Sequence, residues 1–377
     1  MRTASIEEVQ TPALLLERQK LDQNLARMRA QIARWPGLQL RPHLKTAKSI
    51  AVASLVSPER GPITVSTLRE AEEFARHGFN DITYAVGIAP DKLSRVAALN
   101  RGPTRVSIIL DSVAAAEHVA AFVKKEGVQI ATLIEVDTDG HRGGVKPGDP
   151  LVVAIGKVLA DVGALSGILT HAGGSYGARS TEEIADYAAK ERNGALRAAE
   201  QLRAAGLPSP VVSIGSTPTA LFSKDLSGIT EVRAGVYMFQ DLVMAGLGVC
   251  RPEEIALSVL TSVIGHQSER GQLIVDAGWM ALSRDRGTQR QALDCGFGLV
   301  CDVEGRILDD LQVMETNQEH GLVSRRSQAP VDLARFPIGS KLRVLPNHAC
   351  ATAAQHGRYH VLAGGQAVEE WERFSHW

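Results

Sequence analysis

The sequence predicts an α/β fold, a (β/α)8 barrel joined to a C-terminal β-rich domain. Short apolar runs alternate eight times with amphipathic helical segments over roughly 220 residues. That alternation is the pattern of a parallel sheet whose strands are joined by crossover helices. No G-x-G-x-x-G follows the first run, which argues against an open dinucleotide-binding sheet and for a closed barrel. Near Gly248 the texture changes: from Pro252 onward the segments are short, β-branched or alternating, with turns between them. A chain of 377 residues exceeds what one core usually supports. The expected division is a barrel over 18–248 and a β-rich domain made of 1–17 and 249–377, with the strand-like run 11–16 pairing into the latter.

The elements follow in order. A helix rich in Leu, Gln, Arg and Ala covers 18–35. The barrel's strand-like runs are 38–42, 62–66, 81–86, 105–110, 129–136, 165–171, 210–214 and 230–233. The helix over 67–77 opens on Thr67 with Glu70 three residues on, the ingredients of a capping box, and closes at Gly78. The helix over 111–126 opens on Asp111 and Ser112 and ends at Gly127, and that over 180–206 is long and charged. In the second domain the strand-like runs are 255–264, 272–276, 298–303, 312–314, 341–344 and 358–361, and 335–339 reads as loop.

Composition narrows the function classes. Net charge is −1, hydrophobic content 44% and charged content 22%, with no block of like charges. Neither a nucleic-acid nor a membrane-surface partner is expected. No apolar run approaches the roughly 18 residues of a transmembrane helix, and residues 1–10 hold charges and no apolar h-region. The cysteines Cys250, Cys295, Cys301 and Cys350 are scattered, with no CxxC pair. They form no disulfide framework, and a reducing cytoplasm is the expected compartment.

Chemistry in such a barrel sits at the C-terminal ends of the strands. The first run ends in Arg41-Pro42-His43-Leu44-Lys45-Thr46. On a strand, residues two apart face the same side, so His43 and Lys45 are expected to share a face. A lysine there can form a Schiff base with a carbonyl compound, although a solvated lysine in a basic loop fits the segment equally. The fifth run leads into Asp139-Gly140-His141-Arg142, the sixth into His171-Ala172-Gly173-Gly174-Ser175-Tyr176, and the eighth into Arg233. The seventh ends in Gly215-Ser216-Thr217-Pro218-Thr219. Glycine beside hydroxyl residues at the start of a helix suits a phosphate, though the same string is also a common turn. A Schiff-base lysine facing a phosphate loop across a barrel implies pyridoxal phosphate (PLP). In the second domain, His348-Ala349-Cys350 would present a nitrogen and a thiolate to one side of a strand, half of a zinc site with positions left open. A buried structural Cys beside a backbone-bonded His is the plainer alternative.

Over nearly its whole length the chain resembles the fold-type III PLP enzymes, in the branch that holds D-serine dehydratase, D-threonine aldolase and enzymes acting on 3-hydroxyaspartate. The likeness is carried by Thr11-Pro12-Ala13-Leu14-Leu15, the 41–46 and 215–219 motifs, Val275-Asp276-Ala277-Gly278, Gln318-Glu319-His320-Gly321 and Pro346-Asn347-His348-Ala349-Cys350. Segments 139–142, 217–221 and 279–287 resemble most closely those of bacterial dehydratases of D-threo-3-hydroxyaspartate. The resemblance implies an alanine-racemase-like barrel in which Lys45 holds PLP and then acts as base, with His43 beside it. It implies Arg142 at the cofactor's phenolic oxygen, Tyr176 and Gly215, Ser216 and Thr217 at its phosphate, and Arg233 at the pyridine nitrogen; His171 is a further cofactor contact. It also implies His348 and Cys350 as ligands of a divalent metal, zinc first, with Mn, Co and Mg as alternatives. The aldolases of this branch tend to carry Asp where this chain has Cys350, which tilts the reading toward a D-3-hydroxy amino acid dehydratase releasing ammonia. D-threonine aldolase, alanine racemase and a non-catalytic PLP-binding protein are the alternatives. For a substrate carboxylate, His320, Arg284 and Arg286 are the candidate cations. A homodimer is implied.

Overall fold

The computed structural model describes residues 5–363 and 368–377. The described residues form two compact units, one comprising Met28–Gly235 with Phe374–Trp377 and the other Met1–Arg27 with Val236–Arg373. The first strand, β1 (Ala13–Glu17), belongs to the latter.

The first unit is built on eight parallel strands: β2 (Gln39–Leu40), β3 (Ile63–Val65), β4 (Asp81–Gly87), β5 (Arg105–Leu110), β6 (Thr132–Val136), β7 (Leu165–Thr170), β8 (Val211–Ile214) and β9 (Glu231–Val232). Their order is β2-β9-β8-β7-β6-β5-β4-β3. The barrel closes at His43, which bridges Thr64 in parallel. Leu44 N–H donates to the Thr64 carbonyl at 2.9 Å, and Thr64 N–H donates to the Pro42 carbonyl at 2.8 Å. The strands are mostly apolar, as expected for a sheet covered on both faces. Helix starts follow the caps: the Thr67, Ser112 and Ser180 hydroxyls accept from the N–H groups of Glu70, Ala115 and Glu183. Gly127, at φ +63°, ends the helix Val113–Glu126 in the left-handed conformation that glycine tolerates best. Inside, Arg41 is 7% exposed. Its guanidinium donates to Glu231 at 2.7 Å and to both Asp81 oxygens at 2.8 and 3.1 Å, tying β2 to β9 and β4.

The second unit contains β10 (Leu257–Gln267), β11 (Gln272–Val275), β12 (Leu299–Cys301), β13 (Ile307–Thr316), β14 (Gly321–Arg325), β15 (Lys341–Leu345), β16 (Arg358–Leu362) and β17 (Val368–Glu372). The ring β10-β11-β14-β13-β12-β15 closes on itself, because β10 pairs with both β11 and β15. A bulge between Val263 and Gly265 lets this one long strand turn the corner. β1 pairs antiparallel with β10 and parallel with β16. Two motifs far apart in sequence meet here: the Thr11 hydroxyl donates to Asp276 at 2.6 Å, and Asp276 also accepts from Thr261 and from Ser262 N–H.

The structure departs from the expected elements at four places. The first barrel strand ends at Leu40, and Lys45 lies in a turn over 44–47 rather than on a strand. His348 and Cys350 are not on a strand: His348 caps the short helix Ala349–Ala353, which contains Cys350. The segment expected as 312–314 is a ten-residue strand. β14 and β17 answer to no strand expected from the sequence.

Candidate active site

The C-terminal mouth of the barrel collects most of the candidate residues. Lys45 is exposed, and its N–H donates to His43 Nδ1 at 3.4 Å. The turn that holds it is closed by Lys48 N–H donating to the Leu44 carbonyl at 2.9 Å. His43 Nε2 lies 3.5 Å from Ser66 Oγ. Burial, the charges of Lys45 and Arg233, and His171 together push His43 well below the usual histidine range, so its imidazole is neutral. With Nδ1 accepting, the proton sits on Nε2.

His171 follows β7, and its Nδ1 lies 2.7 Å from the Gly215 carbonyl. A carbonyl only accepts, so Nδ1 carries the proton. Burial lowers His171 to about 3, with Lys45, Arg233 and Arg142 adding to the shift and the Gly215 bond opposing it. The Tyr176 ring lies 6.2 Å from that of His171. Arg142 is 64% exposed and 3.7 Å from Glu135. Arg233 is buried; it donates to Ser213 Oγ, and to the Thr170 carbonyl at 2.6 Å.

Gly215 stands at φ +144°, where an added Cβ would lie 1.9 Å from the Arg233 carbonyl. Only glycine lets β8 and β9 approach so closely while the chain turns. Ser216 caps the six-residue helix Thr217–Phe222 reciprocally with Thr219. One carboxylate at this mouth had no expected role. Glu191, on the helix Thr181–Ala204, is fully buried and accepts from Ala172 N–H, Gly215 N–H and the Thr219 hydroxyl. Burial pushes its carboxyl up, against the pull of those bonds and of Arg233. A readable signal existed: a glutamate on the stripe Ile184, Ala188, Glu191, Ala195, Ala198 and Leu202, which is otherwise apolar at helical spacing.

In the other unit, the segment before the His-x-Cys pair is pinned from several sides. Leu242 N–H donates to Pro346, Val243 N–H to Asn347, and the Asn347 amide to Gly296. Asp241 caps the helix Leu242–Gly246 and also accepts from Ala349 N–H at 2.9 Å. His348 Nδ1 lies 2.5 Å from Asp285 Oδ2, both side chains about two-fifths exposed. Burial disfavours the His348 imidazolium, but Asp285 and the Cys350 sulfur outweigh it and hold it up to about 11. Such surroundings stabilise positive charge. A histidine with Nδ1 bonded to a carboxylate is an arrangement common behind metal-binding histidines. Among the described residues no group of three or more His, Cys, Asp and Glu could hold a metal. An imidazole held by the Asp285 carboxylate beside the Cys350 thiol is a donor pair whose chemistry suits a divalent metal. Cys250, Cys295 and Cys301 are buried and their thiols are pushed up by burial, while Cys350 is half-buried. No sequence signal pointed to Asp285 or Asp241, which lie 63 and 108 residues from their partners.

Of the cations considered for a substrate carboxylate, Arg286 is paired with Asp294 at 2.6 Å and Arg284 stacks 4.2 Å from Trp279. His320 is exposed. Tyr359, a tyrosine of the same unit, is fully buried between Phe239 and Arg373.

An eight-stranded parallel barrel with a lysine turn at its mouth, joined in sequence to a closed antiparallel barrel, defines an alanine-racemase-like PLP protein. Residues 16–242 match the alanine racemase N-terminal domain, and 256–362 match a putative serine dehydratase domain. The chain belongs to the D-serine dehydratase family of PLP-dependent lyases built on the alanine racemase N-terminal domain. It is 51% identical to D-threo-3-hydroxyaspartate dehydratase of Delftia sp. strain HT23, over 97% of this chain and 98% of that one. It is 30% identical to D-serine dehydratase of Dictyostelium discoideum, over 99% and 98%. The solved structure of the Delftia enzyme superposes with a TM-score of 0.97 at 50% identity, covering 99% of this chain and all of the other. That enzyme has also been solved as a cysteine-to-alanine mutant in the metal-free form.

Proposed function

We propose that this chain is a PLP- and metal-dependent dehydratase that converts a D-3-hydroxy amino acid, D-threo-3-hydroxyaspartate or D-serine, to a 2-oxo acid and ammonia. The observation that carries the reading is the His348–Cys350 pair backed by Asp285, in a chain whose full-length relatives include D-threo-3-hydroxyaspartate dehydratase and D-serine dehydratase. When bound, PLP supplies an electron sink for the α-carbanion, and the metal, Zn²⁺ in our reading, supplies Lewis acidity toward the departing hydroxide. Lys45 binds the cofactor through Nζ, and its freed amine removes the substrate α-proton. His43, neutral and accepting from the Lys45 backbone, orients the lysine turn. Gly215, Ser216, Thr217 and Tyr176 take the phosphate end, Arg142 the phenolic oxygen, Arg233 the pyridine nitrogen, and His171 packs beside them as a neutral ring. In this reading the barrel unit is the cofactor domain and the other unit the metal domain. A homodimer is the expected assembly. Among the described residues the four cysteines form no disulfide, and a reducing cytoplasm is the expected compartment.

The test is a substrate panel read by ammonia and by aldehyde release, with and without chelator. D-threo-3-hydroxyaspartate and D-serine are expected to yield ammonia and 2-oxo acid, with EDTA abolishing the reaction and Zn²⁺ or Mn²⁺ restoring it. Glycine and an aldehyde as products would establish aldol cleavage instead. Racemisation without ammonia would overturn the reading from the other side.

A further inference from the structure

Glu191 is a buried carboxylate to which the chemistry above gives no part. It is fully buried, as is Ser175, and Ser216 and Thr219 are 2% and 1% exposed. One carboxylate oxygen accepts from Ala172 N–H and Gly215 N–H, both at 2.9 Å, and the other accepts from the Thr219 hydroxyl at 2.7 Å. Ala172 belongs to the loop after β7, and Gly215 and Thr219 to the loop and helix after β8. Both oxygens accept only, so the bonding is that of an ionised carboxylate.

That has a consequence for the hydroxyls around it. Thr219 must spend its proton on Glu191, and Ser175 spends its proton on the Ala172 carbonyl at 2.7 Å. Ser216 Oγ lies 2.9 Å from Ser175 Oγ and 3.0 Å from Thr219 Oγ1. Both neighbours can therefore only accept from Ser216, whose single proton goes to one of them; the Glu191 charge sets the direction of the Thr219 hydroxyl, and the Ala172 carbonyl sets that of Ser175. A bare carboxylate behind an anion-binding loop would repel a phosphate. Here the buried Arg233 guanidinium interacts with it favourably, so its bonds are kept while its field is offset.

We propose that Glu191 is a positioning residue for the phosphate end of the cofactor: it locks the loops after β7 and β8 together and fixes the direction of the Thr219 hydroxyl between them. This rests on the PLP reading above. Loss of its acceptor bonds loosens the phosphate cradle and leaves the lysine turn, which none of those bonds reaches, unaffected. The phosphorylated cofactor therefore loses affinity and its unphosphorylated form does not.

The experiment titrates cofactor-free protein with PLP and with pyridoxal, following the visible band of the lysine-bound aldehyde. Wild type, Glu191→Leu, Glu191→Gln and Thr219→Val are compared, each checked for a cooperative melt. Glu191→Leu is expected to weaken PLP at least about tenfold, the worth of a lost charge-assisted bond, and to leave pyridoxal within about twofold. Glu191→Gln can still accept two N–H groups on its oxygen and donate its amide to Thr219. It is expected to stay within about threefold of wild type for both ligands. Should Glu191→Leu fail to fold, Thr219→Val carries the test, with a smaller loss again confined to PLP. Equal losses of PLP and pyridoxal, or no loss, in the folded variant would overturn the positioning role. A wild type that forms no band with PLP overturns the cofactor reading itself, and this inference with it.

Discussion

His171 makes the fold sensitive to acid, by an amount the structure sets. Its folded-state pKa is about 3, against about 6.5 in an unfolded chain. A group depressed in this way stabilises the fold fully above pH 6.5, and that stability is lost as pH falls from 6.5 toward 3. Between pH 7 and pH 5 the unfolded state gains about 2 kcal/mol from protonating this one imidazole, while the folded state gains almost nothing. His43 is lowered in the same direction, so a wild-type profile mixes the two. Replacing His171 with Gln removes the titration and keeps a side chain able to donate toward the Gly215 carbonyl. The assay is urea unfolding of cofactor-free wild type and His171→Gln at pH 7, 6 and 5, because cofactor on Lys45 would change a charge that contributes to the shift. Wild type should lose about 2 kcal/mol more than the variant over that span. Parallel profiles would refute the assignment of a neutral, buried imidazole at this position.

Lys45→Ala should abolish the visible band that forms when cofactor-free protein is mixed with PLP; an unchanged band would remove Lys45 from the mechanism. Asp285→Ala strips the carboxylate from His348 and should weaken metal binding by about 10- to 100-fold, or roughly 1.4–2.8 kcal/mol. The pair is two-fifths exposed, so the lower end is expected; competition with a chromogenic chelator measures it, and an unchanged affinity would sink the role. Arg41→Met removes the ion pair of the buried Glu231, which keeps the Ser213 hydroxyl and the nearby Arg233 charge, and should cost about 3 kcal/mol of stability, the low end for a broken buried pair, read by denaturant unfolding. A loss under 1 kcal/mol would mean that the barrel interior reorganises around Glu231.

What could be read from the sequence and what could not divide along one physical line. Periodicity and capping are local, so the helices begin where Thr67, Ser112 and Ser180 place them, and the eight barrel strands fall inside or close to their apolar runs. Strand length is not local. The run at 38–42 keeps only Gln39 and Leu40 as strand, because Pro42 has no N–H to give a ladder and closure passes instead through the single bridge at His43. The argument that His43 and Lys45 share a strand face therefore failed, although a backbone bond brings them together by another route. His348 and Cys350 repeat the case: spacing put them on a strand, and Asp241, 108 residues away from its partner Ala349, helps hold a helix start in its place. The residues that shape the two candidate sites, Glu191 in one unit and Asp241 and Asp285 in the other, act through long-range bonds. Of these only Glu191 left a mark that one sequence can show, a charge on an apolar helix stripe. A buried charge is costly unless it is bonded, so a glutamate on such a stripe predicts donors at its tip before any fold is known. Here those donors are the two backbone N–H groups and the hydroxyl of the loops after β7 and β8.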